Sequence, residues 1–341
     1  MVVCLHSTFY AQERLDSSLQ LFEPGNNGVP LFFAISGFVI VLSSQKLQFT
    51  KNGWKIFALK RLIRIVPLYW FITSYKVLVS FLSNDLILHS KLNALNILKS
   101  YLFIPTYNVD GELKPFLGVG WTLNFEMLFY LLFALSLFFK VRSILFSGIF
   151  LIILMGLSFF KTKAWPPALQ FYCDKEIINF LLGMIAANLI QREFRLSKAV
   201  SIFFIAGGLV CLFFPIKWNV DKLGFAFAYL QLLCPFFVVY GAAQLERTVN
   251  IKIPKFILFF GAASYSLYLV HPVIAPLAPV ALKKFHFLSP ILSVSCSILL
   301  ALTAAYFCYC FFERPISKTL NSALFKNKNI LLKPAIVVNK V

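Results

Sequence analysis

The run FLGVGWTLNFEMLFYLLFALSLFF (residues 116–139) lies between Lys114 and Lys140 and contains one charged side chain, Glu126. As a helix it is long enough to cross the hydrocarbon core of a bilayer, which is about 30 Å thick. A charge at that depth costs several kcal/mol unless a partner or a polar cavity receives it. The run therefore predicts a membrane helix, and Glu126 marks a candidate functional site within it.

The rest of the chain is equally apolar. Of its 341 residues, 60% are hydrophobic and 13% are charged, and the mean hydropathy is +0.81, whereas soluble domains carry about 25% charged residues. Apolar stretches predict spans at residues 1–10, 28–44, 65–83, 116–139, 143–160, 177–190, 199–214, 223–243, 256–282 and 287–312. We expect an all-α membrane protein, a bundle of about ten transmembrane helices with a truncated first helix. The membrane domain then covers residues 1–315, followed by a short basic tail at 316–341.

The basic residues behind the net charge of +19 are distributed unevenly among the connections between these spans. Every second connection, together with the tail, carries 20 of the 32 Lys and Arg residues but three of the 13 Asp and Glu residues. The remaining connections carry 11 basic and nine acidic residues. Because basic loops stay in the cytoplasm, this distribution predicts that both termini are cytoplasmic. Topology and anionic lipid account for the charge, so we expect a lipid bilayer and no nucleic acid as partner.

Cysteine and histidine placement gives no sign of a disulfide framework or a metal site. Six of the seven cysteines fall within predicted spans, and Cys173 alone lies in an outside connection. The four histidines form no His-x-x-x-His pair, so we expect no bound metal.

Polar residues near the ends of the first and third spans are open to two interpretations. His6 is either an interfacial histidine or a catalytic one. Arg61 and Arg64 share a helical face at the cytoplasmic mouth of the third span. They either anchor the helix or bind phosphate, since guanidinium groups match phosphate oxygens. Lys76, deeper in the same span, is interpreted as snorkelling to the interface and receives no functional role.

Glu126 has polar neighbours on its own helix. Thr122, Glu126 and Tyr130 share one face by i, i+4 spacing, with Trp121 and Asn124 beside them. A polar stripe on a membrane helix points into the protein, where it serves structure or function.

The ninth predicted span combines hydroxyl groups, a histidine and prolines. Ser264, Tyr265, Tyr268 and His271 precede Pro272, and further prolines follow. The prolines predict a break in the helix near His271, which is tolerated where the backbone lines a cavity. The hydroxyl groups either hold helices together or line a substrate pocket.

The order of these motifs resembles that of the acyltransferase 3 family. The resemblance covers nearly the whole chain and rests on His6 together with GNNGVPLFFAISGFVI (25–40), RLIRIVPLYW (61–70), WTLNFEMLFY (121–130), GAASYSLYLVHP (261–272) and FFERP (311–315). It implies a multi-pass enzyme of the bacterial inner membrane. Such enzymes pass an acyl group, often acetyl, from cytoplasmic acyl-CoA to a hydroxyl group of an extracytoplasmic glycan such as O-antigen lipopolysaccharide or exopolysaccharide.

The resemblance also assigns roles to residues. His6 matches the family's catalytic histidine and would act as general base, and Glu126 would orient it or stabilise its charged form. Arg61 and Arg64 match the basic pair and would bind the phosphates of CoA, a donor substrate and not a permanent cofactor. The substrate-pocket candidates are Trp121, Asn124, Tyr130, Ser264, Tyr265, Tyr268 and His271.

The chain departs from the family's pattern at one position, and two alternative functions stay open. The family has an arginine eleven residues before the catalytic histidine, a position that here precedes Met1, so we expect the native start upstream. A secondary transporter or flippase of a glycan or lipid-linked intermediate also uses midplane carboxylates and broken helices, although no half-chain repeat supports it. An acyltransferase that acts on lipids is the other alternative.

Overall fold

Most of the described residues fold into α-helices. A computed structural model describes residues 1–82, 92–192, 194–214, 231–249 and 252–325. In chain order the helices are α1 (Val2–Arg14), α2 (Gly28–Ser44), α3 (Gly53–Leu82), α4 (Ala94–Tyr101), α5 (Trp121–Phe138), α6 (Ser143–Leu157), α7 (Pro167–Tyr172), α8 (Ile178–Gln191), α9 (Lys198–Phe213), α10 (Cys234–Thr248), α11 (Lys255–Ala262), α12 (Ser264–Ile274), α13 (Leu277–Lys284), α14 (Pro290–Cys308) and α15 (Arg314–Phe325). A π-helical turn, Tyr309–Glu313, joins α14 to α15.

Six helical stretches within these residues are long and apolar enough to cross a bilayer. They are Glu23–Leu47, Gly53–Leu82, Gly118–Phe138, Ser143–Phe160, Ser264–Lys284 and Pro290–Phe325. These helices confirm the prediction of an all-α, multi-pass membrane protein. Helices suit a bilayer because each one satisfies its own backbone polar groups in lipid. The count of ten spans is not confirmed. Residues 223–230 of the eighth predicted span, and residues 326–341 of the tail, lie outside the described residues.

The ninth predicted span, residues 256–282, is divided into α11, α12 and α13. A first break, at Ala263, separates α11 from α12. Pro272 is accommodated inside α12, and the second break follows it, between Ile274 and Leu277. His271 therefore lies in helical backbone, about one turn before the break that the prolines predict.

The chain divides into two compact units. The first consists of Met1–Gly28, Leu62–Asn124 and Ile253–Leu320, and within it α14 packs against α1, α12 and α13. The second consists of Val29–Arg61, Phe125–Lys252 and Asn321–Val341. Within the second unit, α8 packs against α6 and α10, and α10 packs against α9.

Small residues bring α2 and α8 into close contact within the second unit. A Cβ atom added to Gly37 would lie 2.1 Å from the carbonyl oxygen of Phe180. A Cβ atom added to Gly183 would lie 1.9 Å from the carbonyl oxygen of Ala34. Glycine at both positions is what lets these backbones touch, as in many membrane helix pairs.

Candidate active site

A cavity of about 760 Å³ lies in the first unit. Its wall includes His6 from α1, Lys76 from α3 and Trp121 from α5. The connection that precedes α5 adds the polar side chains of Asn108, Asp110, Glu112 and Lys114. Apolar walls with a few converging polar groups are typical of small-molecule sites, which makes this cavity the candidate active site.

The polar rim of the cavity is a tight turn. Asn108 Oδ1 accepts hydrogen bonds from the backbone N–H groups of Asp110 and Glu112, both at 2.9 Å. Gly111 adopts φ +76°, a conformation that favours glycine. The Lys114 ammonium lies 3.0 Å from the Glu112 carboxylate. The turn therefore presents carboxylate, amide and ammonium groups at the rim of the cavity.

His6, the predicted catalytic residue, forms a pair with His271. His6 Nδ1 lies 2.7 Å from His271 Nε2, and the two rings are nearly parallel, at 15°, with centroids 5.0 Å apart. His271 is fully buried, and its Nδ1 lies 3.0 Å from the carbonyl oxygen of Leu267. Of the two histidines, it is His6 that contributes to the cavity wall. The packing of α1 and α12 in one unit thus joins two residues that are 265 positions apart.

The tyrosines of α12 make hydrogen bonds to neighbouring backbone. Tyr265 Oη donates to the carbonyl oxygen of Ile65 at 2.7 Å, and Tyr268 Oη donates to that of Val119 at 2.8 Å. Tyr268 Oη also lies 2.7 Å from Thr122 Oγ1. These contacts agree with hydroxyl groups that hold helices together. A substrate-pocket role for these tyrosines stays a prediction.

The other pocket candidates of the first unit differ in exposure. Trp121 lies in the cavity wall, Asn124 is fully buried, and Ser264 is exposed. Trp121 is therefore the candidate, besides His6, that the structure places at the cavity.

Arg64 and the FFERP motif meet at α12. Ser266 Oγ donates to the Glu313 carboxylate at 2.5 Å, and Arg64 interacts electrostatically with the same carboxylate. Glu313 ends the π-helical turn, a distortion that is frequent at functional sites. Ser266 and His271 both belong to α12 and are separated by about 7.5 Å along its axis. This helix therefore connects Arg64 with the histidine pair inside one unit.

Glu126 lies in the second unit with different partners. Its Oε1 accepts hydrogen bonds from Ser36 Oγ and from Tyr130 Oη, both at 2.8 Å. The Arg61 guanidinium lies 5.7 Å from the centre of the Tyr130 ring, and its Nη2 donates to Ser43 Oγ at 2.6 Å. Glu126 and Tyr130, which i, i+4 spacing places on one helical face, are thus in direct contact. A carboxylate that accepts from the tyrosine hydroxyl makes its ring a better partner for a cation, which links Glu126 to Arg61.

His6 and Glu126 belong to different units, and each has partners within its own. The proposed action of Glu126 on His6 therefore stays a prediction. The contacts of Glu126 point instead to Arg61, the predicted donor-binding residue.

Lys76 is a cavity residue to which the sequence assigned no role. Its ammonium donates to the carbonyl oxygen of Phe116 at 2.6 Å and lies 5.0 Å from the centre of the Phe116 ring. These contacts hold the charge at the cavity wall beside the connection that forms the rim. The default interpretation of an intramembrane charge as functional, applied above to Glu126, would have identified Lys76 as well.

Comparison with known proteins agrees with the order of the motifs. Residues 1–310 match the family described as "Acyltransferase domain", the acyltransferase 3 family. The chain is also 33% identical over 256 residues to the exopolysaccharide production protein ExoZ of Rhizobium meliloti (strain 1021). The aligned residues cover 73% of this chain and 76% of that protein. No solved structure matches the chain. The chain therefore belongs to the acyltransferase 3 family and is a membrane acyltransferase.

Proposed function

We propose that the chain transfers an acyl group, acetyl in the simplest case, from cytoplasmic acyl-CoA to a hydroxyl group of a polysaccharide outside the cytoplasm. The observation that carries this proposal is that His6 lies in the wall of a cavity with a polar rim and is paired through Nδ1 with His271. Family membership supplies the reaction class, and the name of the relative ExoZ points to an exopolysaccharide. The distribution of basic residues supports an inner-membrane protein with cytoplasmic termini.

His6 acts as the general base in this reaction. It accepts the proton of the acceptor hydroxyl group while the hydroxyl oxygen attacks the thioester carbon. The new C–O bond forms, the C–S bond breaks, and the proton passes to the sulfur of the departing CoA. A neutral imidazole suits this task near neutral pH. Trp121 offers an aromatic face to the apolar side of a sugar, and the rim carboxylates accept hydrogen bonds from sugar hydroxyl groups.

The donor is held by arginines. Arg61 and Arg64 lie one turn apart on α3, and guanidinium groups bind phosphate oxygens in a bidentate manner. Glu313 and Ser266 position Arg64, while Tyr130 and Ser43 position Arg61. The polyanionic CoA thus meets the basic cytoplasmic side, and the rim of mixed charge is left for the polysaccharide.

Acyl transfer in membranes tests this function. Inverted vesicles that contain the protein, loaded with exopolysaccharide precursor, should transfer label from radioactive acetyl-CoA to the polysaccharide, whereas vesicles without the protein should not. Uptake or flipping of the polysaccharide without acylation would contradict the proposal in favour of a transporter. Label found in lipid instead would contradict the choice of acceptor.

Glutamine in place of Glu126 should raise the KM for acyl-CoA by about 10-fold and leave the KM for the acceptor unchanged. The amide keeps an acceptor oxygen for Ser36 and Tyr130, so the fold should persist, but the negative charge behind Tyr130 is lost. Charge-assisted hydrogen bonds contribute about 1.5–3 kcal/mol, which corresponds to a 10-fold effect or more. Steady-state kinetics with each substrate varied in turn provide the measurement.

Tyr130→Phe is the matched variant for this experiment. It removes the hydroxyl group that binds Glu126 but keeps the ring beside Arg61, so it should raise the KM for acyl-CoA less than Glu126→Gln does. A fall in kcat with an unchanged KM for acyl-CoA in Glu126→Gln would instead place Glu126 on the side of His6.

Methionine in place of Lys76 should raise the KM for the polysaccharide acceptor by about 10-fold, with the KM for acyl-CoA within twofold of the wild type. Methionine keeps the length of the side chain and removes the charge from the cavity wall. Lys284→Met, which changes an exposed lysine outside the cavity, is the control. Equal kinetics for the two variants would show that the Lys76 ammonium does not contact the acceptor.

A further inference from the structure

The hydrogen-bond partners of His6 and His271 determine which ring nitrogens carry hydrogen. His271 Nδ1 lies 3.0 Å from the carbonyl oxygen of Leu267, and His271 Nε2 lies 2.7 Å from His6 Nδ1. A carbonyl oxygen can only accept a hydrogen bond, so His271 Nδ1 must carry a hydrogen. One end of this chain of hydrogen bonds is therefore fixed by the backbone of α12.

The burial of His271 fixes the next proton. Its side chain is fully buried, and a charge on a buried group costs several kcal/mol. A neutral imidazole that carries its hydrogen on Nδ1 has a lone pair on Nε2. His271 Nε2 must therefore accept the hydrogen bond, and His6 Nδ1 must donate it.

We propose that His271 is a positioning residue that holds His6 in the tautomer with its hydrogen on Nδ1 and its free lone pair on Nε2. His6 is the member of the pair in the cavity wall, so this tautomer leaves a basic nitrogen for a substrate hydroxyl group. The opposite tautomer would carry a hydrogen on Nε2 and could not accept a proton there. This inference rests on the proposed role of His6 in acyl transfer.

The pair also stabilises the positive charge that His6 carries during the reaction. When His6 Nε2 accepts the hydroxyl proton, His6 becomes an imidazolium whose Nδ1–H still donates to His271 Nε2. His271 thus shares the positive charge without gaining a proton, as the carboxylate does in a Ser-His-Asp triad, here with a neutral acceptor. His6 then gives the proton from Nε2 to the thiolate of CoA and returns to its starting tautomer.

Two substitutions of His271 separate a positioning role from packing alone. His271→Leu fills the site but offers no acceptor, so kcat should fall by about 100-fold, with both KM values within threefold of the wild type. His271→Gln places an amide oxygen near the position of Nε2, so it should restore kcat to within about 10-fold of the wild type. If both variants were equally impaired or equally active, His271 would have no role in fixing the tautomer.

Nitrogen NMR of histidine-labelled protein gives a readout that does not depend on activity. The spectrum of the wild type should show His6 protonated on Nδ1 and bare on Nε2, with the His6 signals identified by their loss in His6→Ala. His271→Leu should show a mixture of tautomers. A wild-type spectrum with the hydrogen on Nε2 of His6 would overturn the proposal even if His271→Leu failed to fold.

The outcomes also separate this inference from the proposed function. Full activity of His6→Ala would contradict the role of His6 in acyl transfer, whatever the NMR spectra show. An inactive His6→Ala together with a fully active His271→Leu would contradict the inference about His271 alone.

Discussion

Alanine in place of His6 should reduce kcat for acyl transfer by about 10²–10⁴-fold, the range that positioned general bases contribute. His6 is the histidine in the cavity wall, and no alanine atom can accept the hydroxyl proton. The KM for acyl-CoA should stay within threefold of the wild type, because Arg61 and Arg64, the proposed donor-binding residues, are untouched. Transfer of label from acetyl-CoA to polysaccharide, measured per mole of folded protein, is the test.

His286→Asn is the matched control for this substitution. His286 is exposed in the connection after α13 and has φ +60°, a conformation that asparagine tolerates well. Activity of this control should equal that of the wild type. Acyl transfer by His6→Ala at the rate of the control would show that His6 is not the general base.

Long apolar helices were the part of the fold that the sequence predicted best. The second predicted span coincides with α2, Gly28–Ser44, and the predicted span at 143–160 coincides with Ser143–Phe160, because lipid requires uninterrupted helix through its full depth. The end of α1 was harder to predict. Gln12 and Glu13 end the apolar run, yet the helix continues to Arg14, since polarity does not stop backbone hydrogen bonding.

Local spacing placed Glu126 and Tyr130 on one helical face, but it gave no information about contacts between helices. The pair of Glu126 and Tyr130 follows from i, i+4 geometry on one helix. The pair of His6 and His271 depends on how α1 and α12 pack, and periodicity contains no information about that packing. Thr122 illustrates the same limit, because it shares the face of Glu126 in the sequence but bonds to Tyr268 on another helix.

Alanine in place of Gly183 should strongly destabilise the protein. The added Cβ atom would lie 1.9 Å from the carbonyl oxygen of Ala34, and a backbone atom cannot move aside as a flexible side chain can. Overpacking in a core costs about 1–3 kcal/mol and occasionally more, and here both helices must separate. We expect the Tm of the purified protein to fall by at least about 5 °C. Thermal unfolding in detergent, followed by circular dichroism, measures the change.

Gly207→Ala distinguishes this packing argument from a general intolerance of substituted glycines. A Cβ atom at Gly207, within α9, would meet nothing within 4 Å, so alanine there should leave Tm unchanged or raise it slightly, since alanine favours helix over glycine. Gly37→Ala should act like Gly183→Ala, because its Cβ atom would lie 2.1 Å from the carbonyl oxygen of Phe180 at the same crossing. Equal Tm values for Gly183→Ala and Gly207→Ala would show that α2 and α8 do not touch through their backbones. A lower Tm for both Gly37→Ala and Gly183→Ala, with no change for Gly207→Ala, would show that the second unit is packed most closely where α2 crosses α8.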